Sequence, residues 1–266
     1  MADNFPNILI FGCGNMGGAM LRGWLAAGVA PERFTVVDPV ASDMPDGVGL
    51  HRSAAGLDRK FGVLLLGIKP QMLAALAPEI APLLAPDAIL ISILAGSTST
   101  ALSALFPNAC VVRLMPNLAA AIGKSPLGLF SPDTDQAVHA EIETLLSALG
   151  TPVWLADEAQ MDAVTALAGS GPAFVYRFID AMAQGGVAAG LAPDIAAKLA
   201  LSMVEGAVLL AVDSAENPAQ LAARVTSPGG TTAAGLAVLD KDAALQKLIG
   251  ATLCAARDRG AELAKE

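Results

Sequence analysis

The sequence predicts an α/β protein, with a doubly wound sheet over residues 1–157 and an all-helical region over residues 158–266. Three observations carry this. Short, continuously apolar runs alternate with helical segments through the first half, as strands covered on both faces require. A glycine-rich turn follows the first run and opens the first helix. After Trp154 only helical periodicity remains.

The strands are read at 8–11, 34–37, 63–66, 88–93, 111–114, 127–130 and 153–155, and the intervening helices at 15–27, 71–84, 99–105 and 135–149. Beyond them a helix over 158–168 meets a break at Gly169-Ser170-Gly171-Pro172. Pro172 is tolerated in the first turn of the next helix, 173–189, which Gly190 ends. Pro193 starts a further helix to about residue 212, and Asn217 with Pro218 forms an N-cap and first-turn pair. The last helix spans 242–264, with Leu245, Leu248, Ile249 and Leu253 along one stripe. Alanine and glycine dominate 181–211, so these helices pack closely, in a bundle shared between two subunits.

Composition narrows the function. With 54% hydrophobic and 15% charged residues, the chain buries a sizeable core and hides helices in a subunit interface. A net charge of −9 argues against nucleic acid or an anionic membrane surface as partner. The first seven residues lack a basic region followed by an apolar run, so no signal peptide is read. The apolar window 80–96 is broken by Pro82, Pro86 and Asp87, so no transmembrane helix is expected. Cys13, Cys110 and Cys254 are odd in number and scattered, which fits a reducing, cytoplasmic compartment. His51 and His139 are too few for a metal cluster, and no metal site is expected.

Gly12-Cys13-Gly14-Asn15-Met16-Gly17 lies between strand and helix, where the GxGxxG pattern has a physical meaning. Gly12 makes the tight turn, Gly14 admits the pyrophosphate to the backbone, and Gly17 lets the helix pack on the sheet. The helix N-terminus faces the phosphates. A Rossmann-type domain binding NADPH or NADH follows. Asp38, about twenty residues beyond Gly17, ends the second strand as a ribose-binding acid would. It leans towards NADH, while Arg33, Ser42 and Arg52 nearby leave NADPH open. The loops at 67–70, 95–97 and 115–117, with Gly67, Lys69, Ala95 and Asn117, should line the cofactor cleft.

A second glycine turn lies at 225–240. Thr226, Ser227, Thr231 and Thr232 supply hydroxyls; Pro228, Gly229 and Gly230 turn the chain; Leu236 and Leu239 resume a helix. Such a turn suits a carboxylate, or is an ordinary helix cap. The chain carries no strong acid–base group in the expected places. Tyr176 is followed four residues on by Asp180 rather than lysine, no histidine follows His139, and Val175 stands where β-hydroxyacid dehydrogenases carry a lysine. A cyclic imine needs little proton help, because its C=N carbon, once protonated at nitrogen, accepts hydride readily.

The whole chain resembles the pyrroline-5-carboxylate reductase family. The resemblance rests on Gly12-Cys-Gly-Asn-Met16, Ile68-Lys-Pro70, Arg113-x-Met-Pro-Asn117, Gly169-Ser-Gly-Pro-Ala173, Glu216-Asn-Pro218 and the signature at 225–240. It implies reduction of 1-pyrroline-5-carboxylate to L-proline, a helical C-terminal dimerisation domain, and dimers that in many relatives form a ring of five. It also implies that Ser227, Gly229 and Gly230 bind the substrate carboxylate, that Thr232 reaches the ring nitrogen, and that Glu216 holds the substrate loop. Ser170 would lie near nicotinamide and substrate. Gly67, Lys69, Ala95 and Asn117 would contact the cofactor. Two departures stand out: Asp38-Pro39-Val40 replaces small or hydroxyl residues, and Leu118-Ala119 replaces Thr-Pro. The alternatives are a reductase of another cyclic imine and a non-catalytic nucleotide sensor on the same fold.

Overall fold

The computed structural model describes residues 5–132 and 136–263. The leader reading at residues 1–4, the start of the 135–149 helix and the end of the last helix at Ala264 lie outside them. The N-terminal part runs β1 (Ile8–Phe11), α1 (Asn15–Ala26), β2 (Phe34–Val37), β3 (Gly49–His51), β4 (Phe61–Leu66), α2 (Leu73–Ile80) and β5 (Leu84–Ser92). It continues with α3 (Ser99–Leu105), β6 (Cys110–Met115), β7 (Ser125–Phe130), α4 (Gln136–Leu146) and β8 (Gly150–Trp154). The eight strands form one sheet in the order β3-β2-β1-β4-β5-β6-β7-β8.

The period of two along each strand explains why this sheet is apolar throughout. In β1, Ile8 and Ile10 pack on one face with Trp24, Phe34 and Leu146. Leu9 and Phe11 pack on the other with Leu64, Leu66 and Phe106. Each face therefore has its own closed core. Trp24 is fully buried, and its indole N–H donates to the Leu145 carbonyl at 2.8 Å, so its one polar group is satisfied.

Two features depart from the sequence reading. The sheet is not wholly parallel, since β6 and β7 run antiparallel, with Leu114 opposite Leu129. Residues 116–124 between them hold a single 3-10 turn, Leu118–Ile122, and a parallel crossover needs a dozen or more residues. The second departure is β3, three residues paired parallel to β2 at the sheet edge. Its Gly-Leu-His sequence has too little apolar character to read as a strand.

The C-terminal part is helical as expected. A 3-10 turn at Glu158–Gln160 leads into α5 (Met161–Val164) and a π-helical turn at Thr165–Gly169. Then come α6 (Gly171–Ala188), α7 (Pro193–Asp213), α8 (Pro218–Arg224), α9 (Thr231–Leu239) and α10 (Ala244–Leu263). Asn217 caps α8 in a reciprocal box with Gln220, with Pro218 in the first turn. The chain divides into two compact units. One holds the residues to Gly169 and those from Ala256 onward; the other is Ser170–Ala255.

Within the second unit, α6 and α7 approach closely because the contact is made by small residues. A Cβ on Gly186 would lie 3.2 Å from that of Ala196. Ala196 and Ala200 are the two buried residues of this unit. Large apolar side chains elsewhere on α7, such as Leu209, Leu210 and Val212, face outward. By length and composition α7 is also apolar enough to cross a membrane, a property the sequence reading did not assign to this segment.

Candidate dinucleotide and carboxylate sites

The strand order places β1 and β4 side by side, with the chain winding outward in both directions from them. This is the topological switch point, where ligands bind beyond the carboxyl ends of parallel strands. Three glycines make the backbone there unusually close. Gly12 sits at φ +90°, and a Cβ on it would lie 2.7 Å from the Gly67 carbonyl carbon. A Cβ on Gly67 would meet the Gly12 oxygen at 2.5 Å, and one on Gly17 would meet it at 2.7 Å. Gly12 N–H donates to the Val37 carbonyl at 2.9 Å and Gly67 N–H to the Phe11 carbonyl at 2.8 Å, which locks the three strand ends together.

Gly14 differs from its neighbours. Nothing lies within 4 Å of where its Cβ would be, so its bareness serves no internal packing. It caps α1, and no side chain satisfies that helix terminus. Open backbone over a helix N-terminus with unsatisfied N–H groups fits the pyrophosphate of a dinucleotide. Asn15 is exposed and Met16 half-buried on the same turn. Lys69 and Ala95 are exposed on the neighbouring loops, beyond β4 and β5.

Asp38 is nearly buried at the end of β2. Its Oδ2 accepts from Cys13 N–H at 2.8 Å, and its Oδ1 from Val40 and Ala41 N–H at 2.8 and 2.9 Å. Burial alone would raise its pKa, but these three donors and the nearby Arg52 guanidinium hold it below the ordinary carboxylate value. The carboxylate therefore ties the glycine turn to the 38–41 loop. Cys13 lies beside it, buried, with its thiol pushed up to about 11 by desolvation and then by the Asp38 charge. The thiol is therefore in its neutral form at pH 7.

Asn117 is likewise engaged. Its Oδ1 accepts from Ala119 N–H and its Nδ2 donates to the Ala168 carbonyl, both at 2.9 Å. The second of these bonds anchors the π-helical turn to the loop after β6. Sequence reasoning missed a third cluster. Glu158 accepts from the Ser99 N–H at 2.6 Å, the Ser99 hydroxyl at 2.8 Å and Arg113 at 2.8 Å. Desolvation would raise the Glu158 pKa, and these donors lower it instead. The cluster fixes the start of α3 and hence the end of the loop that carries Ala95. Arg113 inside an apolar strand was the available signal, since a buried arginine requires a carboxylate.

In the second unit, Ser227, Gly229 and Gly230 form the turn before α9. Gly229 sits at φ +69°, and Gly230 N–H donates to the Ser227 carbonyl at 3.0 Å. No side chain caps α9, so its first N–H groups are open at the turn. Thr232, in its first turn, is exposed. Glu216 accepts from Arg224 at 3.0 Å, joining the loop before α8 to its last turn. Ser170 precedes α6 with no side-chain cap bond and is half-buried.

Comparison with known proteins identifies the family. Residues 158–263 match the family model for pyrroline-5-carboxylate reductase dimerisation, and residues 7–96 match that for coenzyme F420-dependent NADP oxidoreductases. A pyrroline-5-carboxylate reductase of Pseudomonas aeruginosa is 37% identical over 98% of both chains. The structure of such a reductase from Coxiella burnetii aligns at TM-score 0.88 and 28% identity, covering 98% of this chain and 99% of that one. That of Plasmodium falciparum pyrroline carboxylate reductase, with NADP bound, aligns at 0.80 and 26% identity over 98% of each. The chain therefore belongs to the pyrroline-5-carboxylate reductase family.

Proposed function

We infer that the chain reduces 1-pyrroline-5-carboxylate to L-proline with NADPH or NADH. The observation that carries this is the presence, in one chain of this family, of two uncapped helix N-termini behind glycine turns. The first, at Gly12, Gly14, Asn15, Met16 and Gly17, receives the dinucleotide pyrophosphate; Gly67, Lys69, Ala95 and the Asn117 loop line the cleft. The second, at Ser227, Gly229 and Gly230, receives the substrate carboxylate through the N–H groups of α9. When bound, the reduced nicotinamide supplies hydride to the C=N carbon. The chain's own work is to fix the carboxylate, orient the ring and hold a proton at nitrogen. Thr232 is assigned the last task, as an exposed hydroxyl in the same turn as the carboxylate donors. Glu216 steadies the loop before α8 through Arg224, and Ser170 is assigned to the nicotinamide side.

The same reading makes the helical region, residues 158–266, the dimerisation and substrate domain. The outward-facing residues Leu209, Leu210 and Val212 support it, because large exposed apolar side chains grouped on one helix mark an interaction surface. Between α7 and α8 lies an apolar groove, lined by Leu210, Ala211, Leu221 and Val225, suited to a helix of a second copy. A homodimer, arranged in a ring of dimers, is proposed, and native mass reports the copy number. The odd, scattered set Cys13, Cys110 and Cys254 supports a reducing, cytoplasmic setting.

The test is loss of nicotinamide absorbance with purified protein and pyrroline-5-carboxylate, NADH and NADPH in parallel. Rapid substrate-dependent loss is expected, and cofactor binding without turnover refutes the reaction. Thr232→Val should lower kcat by about a hundredfold, the lower end for a positioned proton donor. Wild-type kinetics in that variant remove Thr232 from the mechanism.

A further inference from the structure

Asp38 ends β2 as the ribose-binding acid of an NADH enzyme does, yet its carboxylate is turned inward. Oδ1 takes two backbone N–H donors and Oδ2 a third, all within the turn it stabilises. The group that lies over this turn is Arg52, one residue beyond β3. Its Nη1 donates to the Asp38 carbonyl at 3.3 Å and to the Ala41 carbonyl. One nitrogen of the guanidinium is thus tied to two carbonyls of the 38–41 loop. Among the described residues, its Nε and Nη2 have no hydrogen-bond partner. Arg52 is exposed, and the loop beneath it offers little cover: Pro39 and Val40 are exposed too. A fixed, cationic fork with two open donors, beside the strand end that meets the adenine ribose, is matched to a phosphate ester.

We propose that Arg52 is the receptor for the 2′-phosphate of NADP(H), and that this chain discriminates in favour of NADPH despite its acid after the second strand. The inference rests on the dinucleotide reading of the glycine turn and specifies which dinucleotide it takes. Asp38 then has a different part. It organises the loop, and through two carbonyls of that loop it sets where Arg52 stands. The phosphate meets the Nε and Nη2 of the guanidinium, while the Asp38 charge is compensated by the backbone N–H groups of Cys13, Val40 and Ala41 first and by Arg52 after them.

Binding measured by calorimetry tests this without turnover, using NADP+, NAD+, 2′,5′-ADP and 5′-AMP against the wild type, Arg52→Ala and Arg52→Lys. The wild type should bind NADP+ and 2′,5′-ADP at least tenfold more tightly than NAD+ and 5′-AMP, and the margin should shrink as salt rises. Arg52→Ala should lose about tenfold in NADP+ affinity with NAD+ changed less than twofold; Arg52→Lys should recover part of the loss. Equal weakening of both nucleotides would make Arg52 a loop tie only and overturn the proposal. So would no change in either, or a wild type that prefers NAD+. A wild type that binds neither nucleotide fails the dinucleotide reading itself, and the proposal falls with it.

Discussion

The two units of this chain are built from similarly apolar sequence but differ in what they do with it. The N-terminal unit closes two cores, one on each face of its sheet, with Ile8, Ile10, Leu64 and Leu66 fully buried. The C-terminal unit buries Ala196 and Ala200 alone, while Leu210 is 71% and Val212 77% exposed in the single chain. The cause lies in geometry. A sheet brings neighbouring strands about 4.8 Å apart, so a few short runs surround each other. Helices whose touching positions are Gly186 and Ala196 pack tightly but leave their larger residues on the outer faces. The first unit is therefore closed by its own contacts, and the second leaves its large apolar side chains uncovered in the single chain.

The largest effect to expect is at that surface. Leu210→Glu puts a charge where a second copy would cover the α7–α8 groove, and burying an unpaired carboxylate is prohibitive. The variant should sediment as a monomer and lose substrate turnover while still binding nucleotide. An unchanged mass would mean that no copy covers the groove. Next comes the contrast in the closed core. Leu64→Ala should cost about 2–5 kcal/mol, read from denaturant midpoints of the first unit's transition. That loss should not vary with protein concentration, whereas the transition of the second unit should rise with it.

How much of this was legible in the sequence follows the same division. The strands of the first unit declared themselves because buried parallel strands are continuously apolar, and Gly12, Gly14 and Gly17 were readable because the turn sits between such a strand and a helix. β3 was not, since an edge strand of three half-exposed residues has no pattern. Nor was the reversal at β7: pairing direction depends on the short link after Met115 and not on the composition of either strand. At the site, sequence spacing located Asp38 but could not show where its oxygens point. Arg52 and Glu158 owe their places to contacts 11 and 59 residues distant in the chain, which no local pattern encodes.

The smallest effect concerns where the division between the units falls. The dimerisation family model begins at residue 158, but in space Glu158 belongs to the first unit, held by Ser99 and Arg113. If that clamp fastens the start of the helical region to the sheet, Glu158→Gln should lower stability by about 1–2 kcal/mol, the difference between charge-assisted and neutral hydrogen bonds. The pH dependence has a definite sign. The folded-state pKa of Glu158 lies below its unfolded value of about 4.5, so the native carboxylate is favoured relative to the unfolded one. The gap between wild type and variant should be full above pH 4.5 and close as pH falls through the folded-state value. Urea midpoints of both proteins across that range measure it. A gap that stays constant down to strong acid would show that the charge of Glu158 contributes nothing to stability.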